Sequence, residues 1–360
     1  MLVKLEILRE GVMSKIFKAL IIIVISAVIL NGCISTKPQY VQGNDKSLTI
    51  YTALEEEQVN EYIKDFREMY PDIKINIIMD SHGVISAKLI SEKDNPQADV
   101  VWGLSSINMI DLDSRNLLKS YIAKSFNEVN KKFVDKGDSP SWTGLTVTET
   151  AFVVNYKELE KLNIEIPKRF EDLTKPEYKG LITMPNPASS GTGYFTVSAI
   201  LQLMGEEKGW KYLKKLDENM GIYTHSGSKP AKLAASGEYP IGISFGYRAI
   251  KQINNGDPVK AIFPSEGSGW DLESIALVNK NNIKEESKLF MEWALSKDTM
   301  KFYSKNAAIT SIDINAEPPR GYSKEPLKQL IDNDLEWASK NRSAILKRWE
   351  KDYASKTESK

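Results

Sequence analysis

The chain has 360 residues but only one cysteine and two histidines, His82 and His225. A single cysteine excludes a disulfide framework and a zinc or iron–sulfur site built from clustered cysteines. Two histidines leave little material for a histidine-rich metal site or for acid–base catalysis. Lys plus Arg and Asp plus Glu number 48 each, so no excess of positive charge attracts nucleic acid. We therefore expect no metal, no cofactor and no nucleic-acid partner.

The N-terminal apolar run, residues 19–30, follows Lys15 and Lys18. Its length lies within the roughly 7–15 residues of a signal-peptide core and is too short to span a bilayer. The pattern therefore predicts export from the cytoplasm. Both Met1 and Met13 could start the chain, and Met13 is the more natural start because the residues before it include acidic side chains.

Residues 30–33 (Leu-Asn-Gly-Cys) end this run and resemble the lipobox of bacterial lipoproteins. In that family the cysteine is acylated and becomes the mature N-terminus. The resemblance implies that residues 1–32 are a signal peptide. It also implies that a lipid on Cys33 anchors the protein to the membrane, outside the cytoplasm. Residues 33–46 contain polar groups, Pro and Gly, which predicts a flexible tether.

The rest of the chain alternates β-type runs with helical patterns. Predicted strands cover residues 47–52, 73–79, 98–102, 146–155, 180–184, 241–245, 259–264 and 274–278, and predicted helices cover 59–66, 84–90, 107–112, 193–204, 247–253, 283–295 and 327–353. This alternation predicts an α/β fold with parallel sheets and right-handed crossovers. We expect two lobes, 47–150 with 259–360 and 151–258. Ligands of such sheets bind beyond the carboxyl ends of the strands.

Three loops after predicted strands carry unusual groups. Residues 185–194 (Pro-Asn-Pro-Ala-Ser-Ser-Gly-Thr-Gly-Tyr) lead into a predicted helix, where backbone N–H groups and hydroxyls can bind an anion. An ordinary serine-rich helix cap is an equal alternative. Residues 223–230 add further hydroxyls, or simply cap the next helix. Residues 266–273 carry a tryptophan and carboxylates, which either suit an ammonium ligand or are plain structural groups.

Residues 242–246 (Gly-Ile-Ser-Phe-Gly) match the nucleophile elbow of α/β-hydrolases. In that fold the acid and the histidine follow the serine, whereas both histidines of this chain precede Ser244. We therefore predict no catalytic residue and no enzyme. A hydrolase that uses Ser244, or a serine of the 189–190 pair, is the alternative from another functional class.

Several segments taken together strongly resemble the 2-aminoethylphosphonate-binding proteins of bacterial ABC importers. The resemblance runs from about residue 47 to 353, and it rests on residues 51–55, 91–103, 173–180, 185–193, 223–230, 238–245, 269–271 and 332–349. It implies the type II periplasmic-binding-protein fold, with two Rossmann-like lobes, a hinge and a ligand cleft between them. It also implies a solute-binding lipoprotein that captures 2-aminoethylphosphonate and delivers it to the permease subunits of an ABC transporter. We expect this protein to be a monomer.

The same resemblance implies two groups of binding residues. The phosphonate would be held by hydroxyl and backbone donors of Ser189, Ser190, Gly191, Thr192 and Gly193, with Ser81 and Ser226 reaching the same end. The ammonium group would be received by Glu55, Asp271 or Glu273, and Tyr247 and Trp270 would wall the pocket.

Ferric-iron receptors share this fold and are the principal alternative. They hold iron with a histidine or acid, a second acid and two adjacent tyrosines, which correspond here to Glu55, Leu104 and Gly246–Tyr247. Ferric iron needs several anionic oxygens, and at least two are missing. Gly246 also stands where the phosphonate group commonly has an acid, so another phosphonate or a phosphate ester is a further alternative. A sensory or adhesion lipoprotein without a small ligand is the remaining one.

Overall fold

The structure, a computed structural model, describes residues 46–137 and 139–359. The predicted signal peptide and Cys33 lie outside the described residues. The strands are β1 Ser47–Thr52, β2 Lys74–Met79, β3 Val100–Ser105, β4 Leu118–Lys119, β5 Thr143–Asn155, β6 Ile182–Pro185, β7 Met220–Thr224, β8 Ile241–Phe245, β9 Val259–Ile262 and β10 Trp270–Val278.

Helices connect these strands. They are α1 Glu56–Met69, α2 His82–Ser91, α3 Ser106–Ser114, α4 Tyr156–Leu162, α5 Gly191–Met204, α6 Glu206–Asn219, α7 Lys229–Ser236, α8 Gly246–Asn254, α9 Glu285–Ala294, α10 Lys297–Tyr303, α11 Pro326–Gln329 and α12 Leu335–Tyr353. Short 3₁₀ helices cover Phe126–Glu128, Lys131–Phe133, Glu171–Thr174, Pro176–Tyr178 and Ala354–Lys356. No helix of the described part of the chain combines the length and apolarity needed to cross a membrane.

The strands form one mixed sheet in the order β2-β1-β3-β10-β5-β8-β6-β7, with β4 beside β10 and β9 beside β5. Two parallel groups, β1–β3 and β6–β8, flank the antiparallel strands β5 and β10. Residues 143–149 of β5 pair with β10, and residues 150–155 pair with β8 and β9. The strand β5 therefore belongs to both halves of the sheet.

The helices cover the sheet with apolar faces. In α1 the buried residues include Val59, Tyr62, Ile63 and Phe66, which recur at helical spacing and pack in one cluster with Trp102 of β3. All six residues of β3 are buried, as expected for a parallel strand covered on both faces. This packing holds the carboxyl end of each parallel strand, and the loop after it, in a defined position.

The C-terminal helix α12 packs with the second half of the sheet. Ala338, Ile345 and Trp349 share a core cluster with Met184 of β6 and Ile241 of β8. The strand β9 likewise pairs with residues 152–155 of β5. These contacts place parts of the segment 259–360 beside residues 151–258, and the lobe boundaries drawn from the sequence stay a prediction.

The α/β class predicted from the sequence is confirmed, but the long C-terminal helix is not continuous. Residues 327–353, predicted as one helical segment, divide into α11 and α12 because residues 330–334 leave the helix. There Leu330 forms a β-bridge with Ser268, and the Ile331 N–H donates to the Ser268 carbonyl at 3.1 Å. The apolar pattern of this stretch shows burial, and it does not distinguish a helix from an extended segment.

Candidate ligand-binding site

Six loops meet at one cleft of about 750 Å³. Each lies at the carboxyl end of a parallel strand and leads into the helix that follows that strand. The loops contribute residues 53–56, 80–82, 105, 189–192, 225–228 and 245 to the wall of the cleft. Helix N-termini carry a partial positive charge and free N–H groups, so their convergence favours anions.

The start of α5 forms one end of the cleft. Ser189, Ser190, Gly191 and Thr192 line it, and the Ser190 hydroxyl accepts from the Gly193 N–H at 3.4 Å. Gly191 and Thr192 are the first helical residues, whose N–H groups have no carbonyl partner within the helix. This segment therefore offers backbone and hydroxyl donors, and the anion site at this place stays a prediction.

Gly193 has a different place. It does not belong to the residues that line the cleft, and a Cβ there would lie 2.4 Å from the carbonyl oxygen of Pro185. The glycine is needed because the helix start packs against the backbone of residues 185–187. Contact between Gly193 and the ligand stays a prediction.

His82 faces the same end and was not predicted from the sequence. Its Nδ1 accepts the Ser105 N–H at 3.1 Å, and burial lowers its pKa to about 4. The imidazole is therefore neutral at physiological pH, with its proton on Nε2, where it can donate. A Cβ on Gly191 would lie 2.6 Å from the His82 ring, so the two residues are in close contact across the cleft.

The loop before α7 adds hydroxyls and a second histidine. The Ser226 and Ser228 hydroxyls lie 3.0 Å apart, and a Cβ on Gly227 would lie 2.6 Å from the Thr192 hydroxyl. His225 lines the cleft, and its Nε2 is buried without a hydrogen-bond partner among the described residues. Ser81 also lines the cleft, although its N–H donates to the Asp80 carboxylate at 2.7 Å.

Asp271 lines the cleft but is engaged by the protein. Its carboxylate accepts hydrogen bonds from the hydroxyls of Ser105 and Ser106, at the start of α3, and from the Leu272 N–H at 2.7 Å. Burial raises its pKa to about 6 despite these bonds. The first task of Asp271 is therefore to hold α3 to the sheet.

Glu55 is also engaged. Its Oε2 accepts from the buried Arg248 guanidinium at 2.5 Å, and Glu57 contacts the same nitrogen at 3.4 Å. Glu55 follows β1 and Arg248 lies on α8, so this ion pair joins the two parallel groups of strands. The Arg248 guanidinium therefore lies where the ammonium group of a ligand would have to lie to pair with this oxygen of Glu55.

Glu273 differs from these two acids. It lines the cleft, and the Thr146 hydroxyl donates to its Oε2 at 2.6 Å. Burial, with a contribution from the charge of Glu55, raises its pKa to about 7. No ion pair joins Glu273 to a cation in the described part of the chain, so Glu273 can receive a positive or hydroxyl group of a ligand.

Two predicted wall residues lie elsewhere. Trp270 lines a separate groove, where its Nε1–H donates to the Ile331 carbonyl at 2.9 Å and its ring packs on Phe133. Tyr247 lines a small cavity with Glu149 and Tyr322. Side chains alternate across a strand and rotate around a helix, so spacing alone could not show on which side these two residues lie. Neither residue lines the cleft in the described structure, and a role of either in ligand binding stays a prediction.

The catalytic alternative also lacks a suitable site. The Ser244 side chain is fully buried, and its hydroxyl donates to the Gly227 carbonyl at 2.8 Å. No group of three or more His, Cys, Asp or Glu side chains that could hold a metal ion occurs within residues 46–137 and 139–359. The cleft therefore presents donors for an anion and one available acid.

Comparison with known proteins identifies the family. A profile described as "Bacterial extracellular solute-binding protein" matches residues 95–336. The chain is a bacterial extracellular solute-binding protein. It is 32% identical to the periplasmic binding protein AfuA of Actinobacillus pleuropneumoniae, solved with exogenous fructose-6-phosphate bound; the match covers 86% of this chain and 99% of AfuA, with a TM-score of 0.79.

Two curated relatives of this solute-binding protein extend the comparison. One is a probable ABC transporter periplasmic-binding protein of Sinorhizobium fredii, 25% identical over 64% of this chain and 65% of its own length. The other is a Fe(3+)-binding periplasmic protein of Serratia marcescens, 23% identical over 73% and 78%. The predicted type II periplasmic-binding fold is confirmed, and the family consists of binding proteins, which are not enzymes.

Proposed function

We propose that this solute-binding protein captures a small organic solute that bears a phosphate or phosphonate group and delivers it to the permease of an ABC importer. The observation that carries this proposal is the donor group of Ser189–Thr192, Ser226 and His82 at one end of the cleft. Neutral donors can hold a phosphoryl dianion if they are fixed in place and water is excluded. The fructose-6-phosphate bound by AfuA and the transporter named for the Sinorhizobium relative support the same class and partner.

Within this class, 2-aminoethylphosphonate is the solute that the resemblance of the sequence implies. Glu273 supports a cationic end for the ligand, because it lines the cleft and no described cation pairs with it. A sugar phosphate is the second candidate, since carboxylates also accept hydrogen bonds from hydroxyl groups. Ferric iron loses support because Tyr247, the tyrosine that the iron group would use, does not line the cleft.

The membrane anchor belongs to the same proposal. Cys33 would carry a lipid and the polar residues after it would tether the binding domain outside the cytoplasm. Detergent phase partitioning of the protein expressed in bacteria tests this part. Wild type should enter the detergent phase and Cys33→Ala the aqueous phase, whereas an aqueous wild type would overturn the anchor.

Calorimetry on residues 34–360 tests the ligand class. We would titrate 2-aminoethylphosphonate, fructose-6-phosphate, inorganic phosphate and ferric citrate in parallel. Saturable binding of at least one organic phosphate or phosphonate, tighter than that of inorganic phosphate, is the expected result. Binding of ferric citrate alone would indicate an iron receptor. It would overturn the proposal that Ser189–Thr192 bind a phosphate or phosphonate group.

A further inference from the structure

Residues 357–358, here called the clasp, lie along the edge of the sheet beside β7. Thr357 forms a parallel β-bridge with Tyr223, and the Glu358 N–H donates to the Tyr223 carbonyl at 2.9 Å. The strand β7 ends the order of the described strands, so the clasp covers its outer edge. The strand β7 also leads directly into residues 225–228, which line the ligand cleft. The clasp is therefore held next to one end of the cleft.

Thr357 holds the loop that precedes α5. Its hydroxyl accepts from the side-chain NH₂ of Asn186 at 2.9 Å. Asn186 is 4% exposed, and its carbonyl accepts the N–H groups of Ser189 at 3.2 Å and Ser190 at 2.9 Å. Its side-chain oxygen accepts from the Ala188 N–H at 2.8 Å. Asn186 therefore shapes the turn that brings Ser189 and Ser190 to the cleft, and Thr357 fixes the orientation of its amide.

Glu358 holds the loop that follows β7. Its Oε1 accepts from the His225 N–H at 2.6 Å, and its Oε2 pairs with the Lys229 ammonium group. The Glu358 side chain is 12% exposed, so these charge-assisted bonds are largely shielded from water. Burial opposes ionisation of this carboxyl, but the bonds from Lys229 and from the His225 N–H keep its pKa below the usual value. Glu358 is therefore charged at neutral pH and fixes the backbone at His225.

The two loops are also joined to each other at His225. The Ser189 hydroxyl donates to the His225 carbonyl at 3.2 Å, so the backbone of His225 is bonded at its N–H and at its carbonyl. The His225 imidazole lines the cleft, and its Nε2 has no hydrogen-bond partner among the described residues. The clasp does not line the cleft in the described structure, so it affects a solute only through these two loops.

We propose that Glu358 is a positioning residue for the anion end of the cleft, which it orders through the His225 N–H. A site binds an anion more tightly when its donors are already fixed in place, because binding then does not have to order them. Without the Glu358 carboxylate, residues 225–228 would lose one of the bonds that fix their backbone. This inference rests on the proposed function, and it adds a residue that does not touch the solute.

Calorimetry on residues 34–360 tests this role, with 2-aminoethylphosphonate and fructose-6-phosphate as probes. Glu358→Ala should weaken the binding of each probe that the wild type binds by about 10-fold, the range of one charge-assisted hydrogen bond. Glu358→Gln keeps an acceptor for the His225 N–H and should stay within about 3-fold of wild type. Lys229→Met removes the ion pair alone and should also stay within about 3-fold.

Asp172→Ala is the matched control for the loss of such a carboxylate. Asp172 also accepts from backbone N–H groups, those of Lys168 at 3.0 Å and Arg169 at 3.1 Å, and it pairs with the Lys175 ammonium group at 2.8 Å. None of these four residues lines the cleft. This variant should lower the melting temperature as Glu358→Ala does, and it should keep the affinity of wild type.

Three results would overturn the positioning role. They are wild-type affinity in Glu358→Ala, an equal loss of affinity in Asp172→Ala, and a loss in Lys229→Met as large as that in Glu358→Ala. The last of these would show that the ion pair, and not the bond to His225, carries the effect. Each result would leave the proposed function intact, whereas failure of wild type to bind any phosphate or phosphonate would overturn both.

Hydrogen exchange followed by NMR gives a readout that needs no ligand. The His225 amide should exchange slowly in the wild type, because its N–H is bonded to a largely buried carboxylate. The exchange should be at least about 10-fold faster in Glu358→Ala and close to the wild-type rate in Glu358→Gln and Asp172→Ala. An unchanged rate in Glu358→Ala would show that the carboxylate does not fix this amide and would contradict the proposal.

Discussion

Three carboxyl groups near the cleft illustrate how surroundings decide the role of a residue. Asp271 accepts hydrogen bonds from Ser105, Ser106 and the Leu272 N–H, Glu55 pairs with a guanidinium, and Glu149 is bonded by its own backbone N–H and lies near Glu273. All three are acidic, and the sequence alone did not separate them. Their surroundings, which other parts of the chain supply, separate the three acids.

The stability of the ligand-free protein should depend on Glu149. Its folded-state pKa of about 8 lies above the unfolded value of 4.5, so the folded state holds a proton that the unfolded state has released. Stability should therefore fall as pH rises from about 5 to about 8. Between pH 5 and 8 the melting temperature of Glu149→Gln should fall about 4 °C less than that of wild type. Parallel melting curves for the two proteins would contradict the buried, raised carboxyl.

Gly191 should be intolerant of a side chain. A Cβ there would lie 2.6 Å from the His82 ring, and rotation of that ring would break its bond with the Ser105 N–H. We expect Gly191→Ala to weaken phosphonate binding about 10-fold in calorimetry, which corresponds to about 1.4 kcal/mol. Gly83→Ala is the matched control, because its nearest contact would be an ordinary 3.5 Å. Equal losses in both variants would show that the effect is not the displacement of His82.

At the scale of elements, the helix boundaries predicted from the sequence lie within about three residues of those in the structure, but the break inside residues 327–353 was missed. The start of α5 is visible in the sequence because Ser190, Gly191 and Thr192 have strong local preferences for a capped helix. The break before α12 was missed because Leu330 and Ile331 are apolar and fit either a helix or an extended segment. Their β-type contact with Ser268 is a long-range interaction, which local pattern does not report.

The helix α3 should depend on Asp271. Asn in its place offers one acceptor and an NH₂ group to the two serine hydroxyls, so a buried donor or acceptor loses its partner. We expect Asp271→Asn to lower the free energy of unfolding by about 1–3 kcal/mol in urea titrations. The exposed Asp332→Asn should change it by less than about 0.5 kcal/mol. Unchanged stability together with lost ligand affinity would instead identify Asp271 as a ligand contact.

At the scale of the whole molecule, the Arg248–Glu55 pair joins the two halves of the sheet across the cleft. The Arg248 side chain is 3% exposed and that of Glu55 is 26% exposed. Removal of the Arg248 guanidinium would leave the partly buried Glu55 carboxylate without this partner. It would also remove a contact between the two lobes, which the expected hinge allows to move apart.

Arg248→Gln should therefore favour a more open molecule. We expect a larger radius of gyration than wild type in small-angle scattering of the ligand-free protein, and affinity for the solute weakened about 10-fold. Saturating ligand should restore the wild-type radius. Arg115→Gln, which breaks an exposed ion pair with Asp111, is the control and should leave both quantities unchanged. An unchanged radius in Arg248→Gln would show that the pair does not hold the halves together.

The sequence by itself determined the alternation of strands and helices and the capped start of α5, whereas the export signal and the anion-binding role of residues 185–193 stay predictions. The alternation and the cap depend on neighbours along the chain, and apolar spacing and capping residues report them directly. Only the tertiary structure decided that Trp270 lines a separate groove and Tyr247 a small cavity, that Arg248 forms an ion pair with Glu55, and that Glu149 lies beside Glu273. Those facts depend on which side of the sheet each side chain takes and on contacts between residues far apart in sequence.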